Sequence, residues 1–199
     1  MDTGEDPVKA DTTLSIPAVP ARFPTTRNLV LINIAAFALC KLLNLFSIRS
    51  IWDLSLEWGP ATLGGQWWRM FSSMFLHSGW GHLLGNMWWL WVVGKRAELL
   101  FSKPVFVSLY LLTGLTGEVL SLTVHPEIFS CGASGAIFGI TGVVIAALWM
   151  GRVTSSLLRF SWRIWPLMIF TALSLFGGAG TPHVDNAAHL GGFVSGVLL

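Results

Sequence analysis

Two polar residues within long apolar runs could supply a nucleophile and its base. Ser134 lies in the tetrapeptide GASG that begins at Gly132, and His189 follows 55 residues later. A serine hydroxyl is inert until a base removes its proton, and a nearby neutral imidazole is the usual base. Serine and histidine in apolar helices are also common packing residues, so this pair alone leaves both roles open.

Small residues flank both side chains at a spacing typical of closely packed helices. One glycine pair follows Ser134 and another follows His189, each with three residues between its members, and such faces let two backbones approach closely. These faces are predicted to bring the serine and histidine within hydrogen-bond reach. The soluble hydrolase motif is absent, because Ala136 stands where that motif needs glycine. The glycines assigned to the motif and to close packing are Gly132, Gly135, Gly139, Gly192 and Gly196.

A second pair of polar side chains could stabilise negative charge on a reacting oxygen. His82 and Asn86 are four residues apart and therefore share one helix face. Both can donate hydrogen bonds, and two donors on one face can hold a developing oxyanion. The alternative is a hydrogen-bonded contact between helices, which is common for these residue types in membranes.

The remaining ionisable candidates favour structural roles. Glu118 is expected to bond nearby hydroxyls such as Thr113, Thr116 or Ser121, or to pair with another buried polar group. Asp185 could form a third member of a triad with His189, but a two-residue dyad makes it unnecessary. His183, Asp185 and His189 lack a familiar metal spacing, so neither a metal nor a cofactor is predicted.

The elements that must position these residues are apolar segments of about the length that crosses a bilayer. More than half of the 199 residues are apolar and few are charged. A helix needs about 20 apolar residues to cross the hydrocarbon. We predict an all-α bundle of six transmembrane helices at about 29–48, 80–100, 104–124, 132–151, 162–178 and 187–199. The sixth is short for a full crossing.

The basic residues predict the orientation of this bundle. Nine of the twelve lie on one side if the spans alternate, and the positive-inside rule makes that side cytoplasmic. Both termini are therefore predicted in the cytoplasm, with Ser134 and His189 near the outer leaflet. Residues 1–28 are predicted to form a flexible cytoplasmic tail. This tail lacks a cleavable signal, so the first span would direct insertion.

Residues 49–79 form the one long connection, rich in Trp, Gly and Leu. This composition suits either a compact element half-buried in the outer leaflet or a packed spacer. The net charge of +2 indicates no particular partner, and the absence of a basic run predicts no nucleic-acid partner.

Taken together, the motifs resemble the rhomboid family of intramembrane serine proteases over residues 29–199. The joint occurrence of His-xxx-Asn, Gly-x-Ser-Gly and Ala-His-xx-Gly-xxx-Gly in the second, fourth and sixth spans is specific. Trp68-Arg69 and His77 match a Trp-Arg pair and a structural histidine of the family, and the long connection matches its membrane-embedded first loop.

The resemblance implies a Ser–His dyad without an acid, in which Ser134 is the nucleophile and His189 the general base and later acid. His82 and Asn86 would stabilise the oxyanion with the backbone N–H of Ser134. Substrates would be single-pass membrane proteins that enter past the fifth span. Phe138 stands where the family often has tyrosine, and the retained ring predicts retained activity.

Two other functions compete with hydrolysis. A rhomboid-like protein that binds membrane segments without cutting them typically lacks the serine or the histidine, and this chain has both. A transporter would favour internal repeats with broken helices, and no convincing repeat relates residues 29–100 to 104–199. The sequence names no substrate, organism or oligomeric state.

Overall fold

The protein folds into a mostly helical bundle. The computed structural model describes residues 23–46, 50–150, 164–177 and 184–199. The long helices are α1 (Pro24–Leu45), α5 (Trp80–Leu100), α6 (Lys103–Val124), α7 (Ser134–Trp149), α8 (Ile164–Gly177) and α9 (Asn186–Leu198). Short helices α2 (Ser50–Ser55), α3 (Gly59–Leu63) and α4 (Trp68–Ser72), a 3₁₀ turn (Ser73–Phe75) and strands β1 (Glu57–Trp58) and β2 (Phe129–Ser130) complete the described elements.

The long helices correspond to the six predicted spans with shifted ends. Among the described residues, α1 and α6 are long and apolar enough to cross a membrane, whereas α7 and α8 are apolar but shorter. The number of crossings therefore stays a prediction. Residues 1–22 of the proposed tail, parts of the fifth span and His183 lie outside the described residues.

Helix α1 begins at Pro24, earlier than the predicted residue 29. Proline suits the first turn of a helix because the N–H it lacks would have no partner there. The Glu98 carboxylate at the end of α5 accepts hydrogen bonds from the backbone N–H groups of Thr25 and Thr26 at 2.8 and 2.9 Å. This carboxylate accepts from two backbone donors of α1 that have no partner within the helix, and its negative charge interacts favourably with the positive end of the helix dipole.

Helix α7 lies at the centre of the bundle. It packs against α5, α6, α8 and α9, and most of its side chains are buried. A Cβ on Gly192 would lie 2.0 Å from the carbonyl oxygen of Gly135, and one on Gly196 would lie 2.0 Å from that of Gly139. Helices α7 and α9 are therefore in backbone contact at the predicted glycine pairs.

The first connection is an ordered set of short elements. Buried Arg69 donates to the carbonyl oxygens of Asp53 and Leu56, each at 2.7 Å, and to Gln66 Oε1. Strand β1 pairs antiparallel with β2, a short ribbon that the all-α prediction did not include. The ribbon joins the first connection to the segment that precedes α7.

Glu118 is buried in the second half of α6, and the hydroxyls predicted as its partners bond elsewhere. Thr113 and Thr116 donate to carbonyl oxygens of their own helix, and Ser121 donates to Asp185. The Ser73 and Ser130 hydroxyls lie near the Glu118 carboxyl, but its Oε2 atom has no hydrogen-bond partner among the described residues. The pairing of Glu118 with another buried polar group therefore stays a prediction.

Candidate active site

Ser134 and His189 are in direct contact. Ser134 Oγ lies 2.8 Å from His189 Nε2, a normal hydrogen-bond distance. If Nε2 accepts the serine proton, the ring carries its own proton on Nδ1, and this buried atom has no partner among the described residues. The pair thus has the geometry of a nucleophile and its base.

The turn before α7 positions Ser134. Gly132 has φ +126°, a conformation that side-chain-bearing residues rarely adopt, and its N–H donates to Ser73 O at 2.9 Å. Ser134 then begins α7. Its backbone N–H belongs to the first turn, where no helical carbonyl is available. This group is free to bind an oxyanion.

His189 is held by the start of α9 and by an aromatic ring. Asp185 caps α9, its carboxylate accepting from Ala188 N at 2.9 Å and from Ser121 Oγ at 2.5 Å. Phe138 stacks on the imidazole with ring centroids 4.4 Å apart and planes at 15°. The carboxylate of Asp185 is engaged away from the ring. It therefore acts on His189 through the helix and not as a third triad member.

His82 and Asn86 point toward one place beside the serine turn. A Cβ on Gly132 would lie 2.6 Å from His82 Nε2 and 3.4 Å from Asn86 Nδ2. Asn86 Nδ2 is buried without a partner among the described residues. Glycine at position 132 leaves open a space that two nitrogen atoms line, and an oxygen atom there could accept from both.

Two further residues complete the surroundings: Ser78, which the motifs did not identify, and His77, which the resemblance gave as a structural histidine. Ser78 Oγ lies 3.2 Å from His82 Nδ1. His77 packs edge-on against His82 with centroids 5.1 Å apart, and burial lowers the pKa of His77 to about 4. His77 is therefore neutral at neutral pH. Ser78 precedes the extended N-cap residue Gly79, so helix spacing alone could not have identified its contact with His82.

Aromatic residues connect α8 to the same side of α5. Phe170 stacks on Trp89 with centroids 3.9 Å apart and meets Trp88 edge-on. Trp89 Nε1 also donates to Thr141 Oγ1 of α7 at 3.2 Å. Phe176, which also lies on α8, is exposed. These contacts place α8 beside the helix that carries His82 and Asn86.

Within the described parts of the chain, no three His, Cys, Asp or Glu side chains are arranged to hold a metal ion. Glu57 and Glu118 are buried near Asp185, and hydroxyl groups lie between them. In the described parts of the chain, both carboxyl oxygens of Glu57 and Oε2 of Glu118 lack a hydrogen-bond partner, so these two groups do not form a fully satisfied polar cluster.

Comparison with known proteins assigns the family. A model of the Rhomboid domain matches residues 64–199. The chain is 36% identical over 146 residues to RHOMBOID-like protein 7 of Arabidopsis thaliana, covering 73% of this chain and 45% of that protein. It is 33% identical over 132 residues to Rhomboid protease GluP of Bacillus subtilis (strain 168), covering 66% of this chain and 25% of that protein.

A further relative is Rhomboid-like protease 3 of Toxoplasma gondii, 32% identical over 155 residues, with 76% of this chain and 57% of that protein covered. The chain thus spans between a quarter and just over half of these relatives. The Rhomboid-domain match covers well over half of the chain and contains Ser134, His189, His82 and Asn86. The chain therefore belongs to the rhomboid family.

Proposed function

We propose that the protein is an intramembrane serine endopeptidase that cuts membrane-protein substrates with a Ser134–His189 dyad. The observation that carries the proposal is the 2.8 Å contact between Ser134 Oγ and His189 Nε2. Family membership makes the chain an integral membrane protein, and the name of the relative GluP describes a protease. The full set of six crossings and cytoplasmic termini belongs to the proposal.

Hydrolysis would follow the usual two steps of covalent catalysis. Ser134 Oγ attacks the scissile carbonyl carbon while His189 Nε2 takes the hydroxyl proton, and the same nitrogen then protonates the leaving amine. Water next gives a proton to His189 and attacks the acyl carbon. When the ester bond to Ser134 Oγ breaks, His189 returns that proton to Oγ and the second product leaves. The Phe138 ring can stabilise the imidazolium formed in each step, because the face of an aromatic ring attracts cations.

The oxyanion formed at each attack would lie beside Gly132. His82 Nε2, Asn86 Nδ2 and the backbone N–H of Ser134 are the proposed donors. Unpartnered Asn86 Nδ2 supports this assignment, since a buried donor without an acceptor costs free energy in the resting protein. Removing one such donor typically costs about 100- to 1000-fold in rate.

The proposed substrates are single-pass membrane proteins, cut where a transmembrane helix unwinds easily. Ser134 begins α7 and His189 lies in the first turn of α9. The two helices run in the same direction, because Gly192 meets Gly135 and Gly196 meets Gly139. With the orientation predicted from the basic residues, the starts of both helices lie toward the outer leaflet. Water would reach the dyad from that side, and the first connection would lie partly within the same leaflet.

The experiment that tests the dyad is labelling of detergent-purified protein with a fluorophosphonate probe, which reacts with activated serines. Wild type is compared with Ser134→Ala and His189→Ala. We expect labelling of wild type, complete loss in Ser134→Ala and a drop of at least about 1000-fold in His189→Ala. Folding of each variant is checked by thermal unfolding.

Two results would contradict the dyad. Folded wild type that is not labelled, or equal labelling of Ser134→Ala, would remove Ser134 as an activated nucleophile. A rhomboid-like protein that binds membrane segments without cutting them would then be the better assignment.

A further inference from the structure

Ser78 contacts the side of His82 that faces away from the proposed oxyanion site. Its Oγ lies 3.2 Å from His82 Nδ1, and it precedes the start of α5 by two residues. The other ring nitrogen, Nε2, faces the space beside Gly132 together with Asn86 Nδ2. The imidazole of His82 therefore lies between a hydroxyl group and the reacting centre.

The position of one proton decides what His82 can do. A neutral imidazole carries a proton on one nitrogen and a lone pair on the other, and the hydrogen bond at one nitrogen fixes the state of the second. With its proton on Nε2, His82 donates into the space beside Gly132. With its proton on Nδ1, His82 presents a lone pair there, which would repel an oxyanion.

We propose that Ser78 is a positioning residue whose hydroxyl donates to His82 Nδ1 and so keeps the ring proton on Nε2 for the oxyanion. This inference rests on the proposed function, since it deepens the role of His82 in the same site. Ser78 itself does not touch the reacting atoms.

The surrounding contacts favour this direction of the hydrogen bond. No other hydrogen bond of the Ser78 hydroxyl is found among the described residues, so its proton can turn toward Nδ1. Buried Asn86 Nδ2 also faces the space beside Gly132 without an acceptor. A second donor at Nε2 completes a site for one oxygen atom, whereas a lone pair there would repel that oxygen.

The neighbouring imidazole of His77 does not disturb the hydrogen bond between Ser78 and His82. It lies edge-on to His82 at 5.1 Å, and burial lowers its pKa to about 4. His77 therefore adds no positive charge beside His82 at neutral pH. The Ser78 hydroxyl is then the group that selects between the two neutral forms of His82.

The test compares wild type with Ser78→Ala, Ser78→Thr and the control Thr123→Val, whose exposed hydroxyl bonds only its own helix at 2.7 Å. The rate of fluorophosphonate labelling is measured over a range of probe concentrations. We expect Ser78→Ala to lower the maximal rate about 3- to 10-fold, the effect of one hydrogen bond, with the half-saturating concentration unchanged. Ser78→Thr restores the rate, and Thr123→Val labels like wild type.

A second measurement shows directly which nitrogen of His82 carries the proton. ¹⁵N shifts of histidine-labelled protein, with His82 assigned by its loss in His82→Gln, distinguish the two neutral forms. We expect His82 to carry its proton on Nε2 in wild type and to become a mixture in Ser78→Ala.

The outcomes separate this inference from the proposed function. Labelling at Ser134 that is equally fast in wild type and Ser78→Ala overturns the role of Ser78 and leaves the dyad intact. Failure to label wild type overturns the dyad, and the shifts then still report whether Ser78 sets the form of His82. A wild-type His82 with its proton on Nδ1 overturns the inference in either case, including one in which Ser78→Ala fails to fold.

Discussion

Within the candidate site, Asp185 and Phe138 hold His189 in place by two different contacts. Asp185 accepts from Ala188 N and Ser121 Oγ and thereby fixes the start of α9 against α6. Phe138 stacks on the ring itself and restricts its rotation. A base must be held within hydrogen-bond reach of its nucleophile, and in the proposed dyad an N-cap and an aromatic stack would achieve this without a carboxylate on the ring.

Glu57 makes stability depend on pH. Its side chain is fully buried in the first connection. Burial raises the pKa of Glu57 from 4.5 to about 7, Asp185 acts in the same direction, and Thr62 and Arg69 oppose the rise. Because the folded state then holds the proton more tightly than the unfolded state, stability falls as pH rises from about 4.5 to about 7 and then levels off.

We expect Glu57→Gln to remove this dependence. The amide has the shape of the protonated acid and no charge to bury. The variant should unfold near the wild-type temperature at pH 4.5 and a few degrees above it at pH 8, since a gain of about 1 kcal/mol moves the midpoint by about 2–4 °C in a chain of this size.

The matched control is Glu127→Gln, because Glu127 is exposed. Its unfolding midpoint should follow wild type at both pH values. Equal shifts of Glu57→Gln at pH 4.5 and pH 8 would show that folding does not raise the pKa of Glu57.

Single residues of the candidate site could be predicted from the sequence where they belong to a recognisable motif. Ser134, His189, His82 and Asn86 stand out because polar groups are rare in apolar runs. Their roles stay predictions until the labelling is done. The surroundings of Glu118 depend on Ser73 and Ser130, which lie far from it or beyond its helix. Helix spacing alone suggested Thr113 and Thr116, whose hydroxyls bond their own helix.

Among the elements, the close packing of α7 against α9 depends on glycines, which have no side chain at the crossing points. At the two crossing points a Cβ on α9 would lie 2.0 Å from a carbonyl oxygen of α7. We expect Gly192→Ala to push the helices apart and destabilise the protein by about 1–3 kcal/mol, the usual cost of overpacking. The shift also moves His189 from Ser134, so fluorophosphonate labelling should slow at least about 10-fold.

Gly85→Ala is the control for helix propensity. Gly85 lies within α5, and nothing stands within 4 Å of a Cβ placed there. Alanine favours a helix over glycine by about 1 kcal/mol, so this variant should be as stable as wild type or more stable. Wild-type stability of Gly192→Ala would mean that α7 and α9 pack less closely than the structure indicates.

Elements were predictable where hydrophobicity is continuous. The apolar runs correspond to the long helices, whereas their ends were displaced by local chemistry such as the Glu98 carboxylate at the start of α1. The two-residue strands pair over a separation of more than 70 residues. Neither strand is long enough to show alternation, so the pattern contained no signal for the ribbon.

For the whole molecule, the distribution of basic residues predicts which face meets the cytoplasm. Ser102 and Glu127 are exposed and lie beyond opposite ends of α6. In a background of Cys40→Ala and Cys131→Ala, we expect an impermeant maleimide to label Glu127→Cys on intact cells. Ser102→Cys should be labelled only after permeabilisation.

The two variants control each other, because they differ only in the end of the helix that carries the thiol. Labelling in the reverse order would invert the predicted topology and put the dyad toward the cytoplasm. Labelling of both on intact cells would mean that α6 does not cross the membrane.

The family is confirmed by the Rhomboid-domain match, and the combination of three motifs was sufficient to predict it. The mostly helical fold is confirmed as well. The number of crossings and the depth of the first connection depend on the bilayer, because hydrophobic thickness decides whether a short helix such as α8 spans it.

The separation of Ser134 and His189 along the chain also has a consequence for biosynthesis. The serine leaves the ribosome 55 residues before the histidine, and at about 5–20 residues per second the interval is roughly 3 to 10 seconds. Until α9 packs against α7, the proposed nucleophile has no base and remains an ordinary alcohol. If the proposed dyad is correct, a nascent chain in the membrane would cut neither itself nor its neighbours until its core is assembled.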